Sequence, residues 1–337
     1  MPKPPELPRM GVVMPTHGPL DSAAPALRAL AALDPPPTEC IVVTDSPPHP
    51  DDSIWLPPGV RRVEVAHASG PAVARNAGAA ILQTDIVLFV DSDVVVPPDT
   101  VRRFAEEFRD HPGCAAVFGS YDDRPADPGF LSQYRNLLHH FVHQTSRQDA
   151  STFWSGLGAV RLDVFRSLNG FDESYRVPSI EDVELGCRMH AAGHAIRLSP
   201  EIRGCHLKRW TAWGILRTDL LQRGIPWVRL ALSGPGLPSD LNLGWGARAS
   251  VALAWLACGT ALMAVLWPPC LAFAAVLLAS VGFLNRRFYR FLIRHRGIAF
   301  AAATFPWQIL YHLECGLAVL LGIMTHAGST GRRNTRR

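Results

Sequence analysis

Val87-Leu-Phe-Val-Asp91-Ser92-Asp93 places two carboxylates two residues apart, just after the apolar run Ile86–Val90. On a continuing strand the two side chains share one face, and in a turn they converge. Two hard oxygen donors there suit a divalent cation carrying a diphosphate, although Asp-Ser-Asp is also ordinary turn chemistry at a strand end. Other polar groups gather nearby. Pro15-Thr16-His17 closes the β-rich run Gly11–Pro15, and Asp45 closes Cys40–Thr44. Arg75 and Asn76, in Ala74-Arg-Asn-Ala-Gly78, precede the Asp91 strand on a helix. Chemistry-bearing residues thus collect at the carboxyl ends of successive strands, where a nucleotide lies in an open α/β sheet.

Three later segments add candidates. Phe153-Trp154-Ser-Gly156-Leu-Gly158 is a glycine-bearing turn beside a Trp, suited to close approach of a sugar or simply a strand with a bulge. In Ser179-Ile-Glu181-Asp182-Val-Glu184, Ser179 is positioned to cap a helix opening with acids. Those acids answer the helix dipole, or Asp182 serves as a general base facing a substrate cleft. Gly204-Cys205-His206 offers an imidazole soon after a short strand, Ala195–Ser199. A single His is more often structural than a ligand, and this one gains interest because a third metal ligand is wanted.

The elements that must position these groups alternate. Strand-like runs fall at 11–15, 40–44, 61–65 and 86–90, with helices predicted over Ser22–Leu33, capped by Asp21 or Ser22, and over the alanine-rich Pro71–Gln83. Continuous apolar runs such as 86–90 suit strands buried on both faces. The pattern predicts a doubly wound α/β domain over residues 10–235, after a disordered segment 1–9.

Beyond residue 235 the composition changes. The chain has 337 residues, 18% of them charged, and a net charge of +4; about a quarter charged is usual for soluble domains. From residue 247 onward ten arginines face one acid, Glu314, so that part carries +9 and residues 1–246 carry −5. An acidic front with a basic, apolar tail argues against nucleic-acid binding and against intrinsic disorder of the whole. Ala249–Trp267 and Cys270–Leu284, joined at Pro268-Pro269, read as a transmembrane hairpin over about 249–284, and Ile298–Met324 is a third apolar segment. Arg286, Arg287, Arg290 and Arg294 alternate with Phe288, Phe291 and Leu292 in the stretch 285–297, the pattern of a basic helix at an anionic interface. The positive-inside rule places that helix in the cytoplasm, while one crossing by the third segment puts the basic tail, residues 327–337, on the far side. With no apolar h-region near the N-terminus, the front domain is expected to stay cytoplasmic and the whole to be a multi-pass protein of the cell membrane. The seven cysteines form no C-x-x-C pair, which speaks against disulfides or zinc.

Taken in order, VVMPTH (12–17), ARNAG (74–78), VLFVDSD (87–93) and SIEDVELGCRM (179–189) resemble the inverting family 2 glycosyltransferases of the GT-A fold. The resemblance covers residues 10–230. It implies a GT-A nucleotide-sugar domain followed by a helical membrane region. It further implies Mg²⁺ or Mn²⁺ held by Asp91 and Asp93, with His206 completing the coordination, and base chemistry at Glu181-Asp182. The nucleotide side takes Pro15, Thr16, Asp45, Arg75, Asn76, Ser92 and Gly156. The expected partners are a UDP- or GDP-sugar donor and a lipid or lipid-linked acceptor in the membrane. There are departures: the first loop lacks the usual Pro-Thr-Tyr-Asn, and Gln222-Arg-Gly-Ile-Pro-Trp227 lacks the Q-x-x-R-W pattern of processive members. Non-processive hexosyl transfer is therefore the reading. Its alternatives are a processive synthase or another metal-dependent, nucleotide-using membrane transferase. Lys208, Arg209, Trp210, Arg223 and Trp227 either line the acceptor side or form a solvated interfacial helix.

Overall fold

Strands β1 (Met10–Thr16), β2 (Glu39–Thr44), β3 (Val60–Glu64) and β4 (Ile86–Val90) run parallel in the order β3-β2-β1-β4. The computed structural model describes residues 7–46, 56–234 and 244–334, with side chains described as far as Ala327. Residues 1–6 and the tail arginines Arg336 and Arg337 lie outside the described residues, as does most of the connection after residue 235. The sheet continues through β8 (Leu157–Arg161), β6 (Cys114–Tyr121), β9 (Ala195–His206) and the short β5 (Val94–Val95), with β7 (Asp149–Ala150) paired to β9. Because β8 is antiparallel to both β4 and β6, the sheet is mixed.

Every residue of β1 and β4 is buried, as a strand covered on both faces requires. Alternate side chains feed two apolar layers. Val12, Met14, Leu88 and Val90 meet Leu27 and Leu30 of α1 (Ala24–Ala31) and Phe104 and Phe108 of α3 (Thr100–Asp110). Val13, Val43, Val87 and Phe89 meet α2 (Pro71–Ala80), α5 (Leu162–Ser167) and α6 (Glu181–Ala191) on the other face. Gly78 lets α2 sit down on the sheet: a Cβ there would lie 2.5 Å from Val13 Cγ1. Between β6 and β7, α4 (Phe130–Thr145) lies against β6 and β9.

Three local expectations change. Neither Asp21 nor Ser22 caps α1; Leu20–Ala23 forms a 3₁₀ turn and the helix starts at Ala24, with Pro25 in its first turn supplying no N–H for a cap to accept. Ser179 does not cap α6; Ile180 holds that position, and the Ser179 N–H donates to Glu181 Oε2 at 2.9 Å. The strand expected to end at Ser199 runs to His206, because Pro200 sits in a bulge where the pairing jumps from Phe118↔Leu198 to Ser120↔Arg203.

The chain forms two compact units, Met1–Arg209 and Trp210–Arg337. The second is helical: α7 (Ala212–Arg217, capped by Thr211), a π-helical turn over Thr218–Gly224, α8 (Ile225–Ser233), α9 (Trp245–Met263), α10 (Cys270–Leu284), α11 (Arg286–Arg296) and α12 (Ile298–Asn334). Among the described residues two helices, Trp245–Met263 and Ile298–Ala327, are long and apolar enough to cross a membrane; α10 and α11 form a pair bent by 70°. Pro306 does not break α12. Thr304, Gln308 and His312, four residues apart, are buried on one face of it, as polar groups on an apolar helix should be. Trp255 packs against Gly316 and donates from Nε1 to the Leu313 carbonyl at 3.1 Å, and Asn285 Nδ2 donates to Ser250 Oγ at 2.9 Å. In α11, Phe288 and Leu292 are buried while the arginines stay exposed.

Candidate active site

The two carboxylates after β4 diverge. The Asp91 N–H donates to the Gly156 carbonyl, and a tight turn returns the chain to β5, with the Val94 N–H donating to the Asp91 carbonyl at 3.0 Å. β5 pairs with the end of β9 in the register Val94↔His206. That register, fixed by backbone pairing, brings residues 113 positions apart together: His206 Nε2 lies 3.2 Å from Asp93 Oδ2. The His206 ring is buried, with Nδ1 at 2.6 Å from Asn136 Oδ1 of α4 and its face stacked on Tyr121 at 4.2 Å.

Asp91 turns the other way. Its Oδ1 accepts from Arg75 Nη2 at 2.7 Å, and Arg75 Nη1 donates to Glu181 Oε1 at 3.0 Å. Arg75 is 4% exposed and lies over the Phe171 ring. Burial alone would lower its pKa, but the charges of Asp91 and Glu181 outweigh that and hold it above its ordinary value. One guanidinium on α2 therefore ties the end of β4 to the start of α6.

Asp182, the next residue on α6, accepts from the Ser155 N–H (3.0 Å) and hydroxyl (3.3 Å) at Oδ2 and from the Val183 N–H (2.8 Å) at Oδ1. Burial first, then the Glu181 charge, push its carboxyl up to about 6, against the pull of those N–H groups and of Arg75. It is a carboxylate poised to exchange a proton near neutral pH.

At the end of β2, Asp45 is buried and doubly engaged, with Oδ1 at 2.7 Å from His17 Nδ1 and Oδ2 accepting from the Gly70 N–H. Thr16 turns its hydroxyl to the Val43 carbonyl, and Pro15 is buried within β1. Asn76 is spent on the loop after α5, donating to the Phe171 carbonyl and Glu173 and accepting from the Phe171 N–H. Ser92 is half-buried in the turn between the two aspartates, and Gly156 serves through its carbonyl. Asn136 and Tyr121 carry no motif, and Ser155 lies unmarked within the glycine-bearing segment 153–158; only the fold brings the three in.

Among the described residues no three His, Cys, Asp or Glu side chains converge closely enough to hold a metal by themselves. Asp93 and His206 do present two donors to one point. For Mg²⁺ or Mn²⁺, which keep waters and lean on substrate phosphates, one or two protein ligands suffice, so the donor set fits.

Such a mixed sheet, with polar groups at the ends of β1, β2 and β4, is that of the GT-A fold. Residues 11–168 match the family Glycosyl transferase family 2. It is 29% identical over 187 residues to the pre-mycofactocin glycosyltransferase of Mycobacterium tuberculosis, a match covering 51% of this chain and 39% of the relative. The chain thus spans about two fifths of the curated relatives it matches. Among solved structures, a mannosyltransferase from Pyrobaculum calidifontis in complex with GDP-Man and Mn²⁺ superposes with a TM-score of 0.57 at 19% identity, covering 91% of this chain and 90% of that one.

Proposed function

We propose that the protein transfers a sugar from a nucleotide sugar to a membrane-associated acceptor, with inversion at the anomeric carbon, one sugar at a time. The observation that carries this reading is one juxtaposition: Asp93 with His206 on one side, Asp182 on Ser155 on the other, and Arg75 linking Asp91 to Glu181. The donor set fits a divalent cation on the diphosphate, held by Asp93 and His206, while Asp91 is engaged by Arg75. When bound, the cation supplies neutralisation of the charge that builds on the departing nucleoside diphosphate. Asp182 removes the proton of an acceptor hydroxyl. That oxygen then bonds to the anomeric carbon as the bond to the diphosphate breaks, and the proton leaves on Asp182. Glu181 has one oxygen on Arg75 and the other on the Ser179 N–H, so it acts by position and charge rather than as the base. Asp45, at the far end of β2, meets the nucleoside, and Thr16, Ser92 and the backbone around Gly156 frame the nucleotide.

Thermal shift against a panel of UDP- and GDP-sugars with Mn²⁺ is expected to single out one donor, and exhaustive chelation to abolish both the shift and turnover. Full activity after chelation overturns the metal assignment to Asp93 and His206.

For the membrane, we read α9 and α12 as crossing helices. Trp245 and Trp267 are exposed at the two ends of the α9 segment, with Arg248 over the Trp245 ring, the placement of interfacial anchors. The exposed arginines of α11 suit an anionic cytoplasmic surface. The full chain is expected to stay in the membrane pellet after a high-pH carbonate wash. Release into the supernatant overturns the crossing.

A further inference from the structure

We infer that Asn136, on α4, is a positioning residue for the cation site: through its side-chain oxygen it sets which nitrogen of His206 faces Asp93. The inference rests on the proposed role of Asp93 and His206 as cation donors, and it concerns a helix that no motif marks.

Asn136 is 1% exposed, and its Oδ1 lies 2.6 Å from His206 Nδ1. An amide oxygen only accepts, so in this arrangement Nδ1 carries the proton and Nε2 is the nitrogen presented to Asp93 and to a cation. The other end of the same amide, Nδ2, is buried with no hydrogen-bond partner among the described residues. A buried amide left half unsatisfied is costly, and here it keeps one short contact, to His206. Tyr121 supports the ring from its face, the planes 9° apart, and one turn further along α4 His140 Nδ1 lies 2.7 Å from the Tyr121 carbonyl. α4 therefore braces both the in-plane orientation of the imidazole and the strand residue it stacks on. A ligand His whose second nitrogen is held this way binds metal more tightly than one free to turn, since its orientation and tautomer are settled beforehand.

The test is Mn²⁺ titration of the full chain in detergent, with free Mn²⁺ read by electron paramagnetic resonance and no substrate present. Asn136→Leu and Asn136→Ala, which remove the oxygen, are expected to weaken Mn²⁺ binding about 10–100-fold. Asn136→Asp keeps an acceptor on Nδ1 and is expected to bind at least as tightly as wild type. Far-UV circular dichroism shows which variants fold, and Ala, adding no bulk, stands in if Leu does not. Wild-type affinity in the folded oxygen-deleted variant overturns the inference, as does an equal loss with Asp. The underlying reading fails separately: a wild-type chain that binds no Mn²⁺, or binding untouched by His206→Ala, removes the cation site itself.

Discussion

Asp182→Asn is expected to lower turnover about 10²–10⁴-fold, the range a positioned general base supplies, while the nucleotide-sugar thermal shift stays at its wild-type value. The separation follows from geometry, since Asp182 is held by Ser155 and Val183 while the proposed cation donors Asp93 and His206, and Asp91 on Arg75, lie on other contacts. The pH profile carries the finer test. A base must be ionised to accept a proton, and this carboxyl is pushed up to about 6, so kcat/KM should fall about tenfold per pH unit below that value and level off above it. Glu181 raises the carboxyl by its negative charge, so Glu181→Gln should move the acid limb to lower pH. In Asp182→Asn the limb should vanish from the residual rate. Unchanged turnover in that variant sinks the assignment, and points to an acceptor, such as a phosphate, that needs no base.

Much of this site is legible in the amino-acid sequence, for a physical reason. An apolar run that stops dead at Asp91-Ser-Asp93 reads as a buried strand delivering carboxylates to a sheet edge, and Ile86–Val90 is observed as that strand to the residue. Arg75 is legible as chemistry but not as geometry. The helix places it near the strand ends, yet nothing local says that its two Nη groups divide between Asp91 and Glu181. Strand direction is equally silent, since the apolar run of β8 reads the same whether it pairs parallel or antiparallel with β4. The least legible part is the support for His206. It depends on a strand that continues past Pro200 through a bulge, on the register that lays Val94 beside His206, and on an Asn in an otherwise amphipathic helix. The Cys270–Leu284 helix is as the composition indicates, whereas Pro306 inside α12 shows how weakly one proline punctuates a long apolar helix.

The second large effect belongs to Arg75. Its guanidinium faces two carboxylates, one of them the 4%-exposed Glu181, and is itself almost wholly buried. A buried ion pair adds little over an apolar substitute, but deleting one partner strands the other, at about 3–5 kcal/mol. Arg75→Gln strands two like charges together, so the melting temperature in detergent is expected to drop by roughly 6–20 °C for a domain of this size. Arg75→Lys should recover only part, because one ammonium cannot serve both carboxylates as the planar fork does. If the loss is stranded charge, removing a charge should restore stability, and Arg75→Gln with Glu181→Gln should melt above Arg75→Gln alone. A drop that Glu181→Gln leaves untouched would mean that Arg75 matters for packing on Phe171 instead. The same residue makes a second, opposite claim on Asp182. Arg75 pulls that carboxyl down where Glu181 pushes it up, so the acid limb should move to higher pH in Arg75→Gln and to lower pH in Glu181→Gln. Two substitutions on one hydrogen-bonded pair that shift the limb in opposite directions would identify the titrating group as the carboxylate both of them face, which loss of activity in either variant alone does not do.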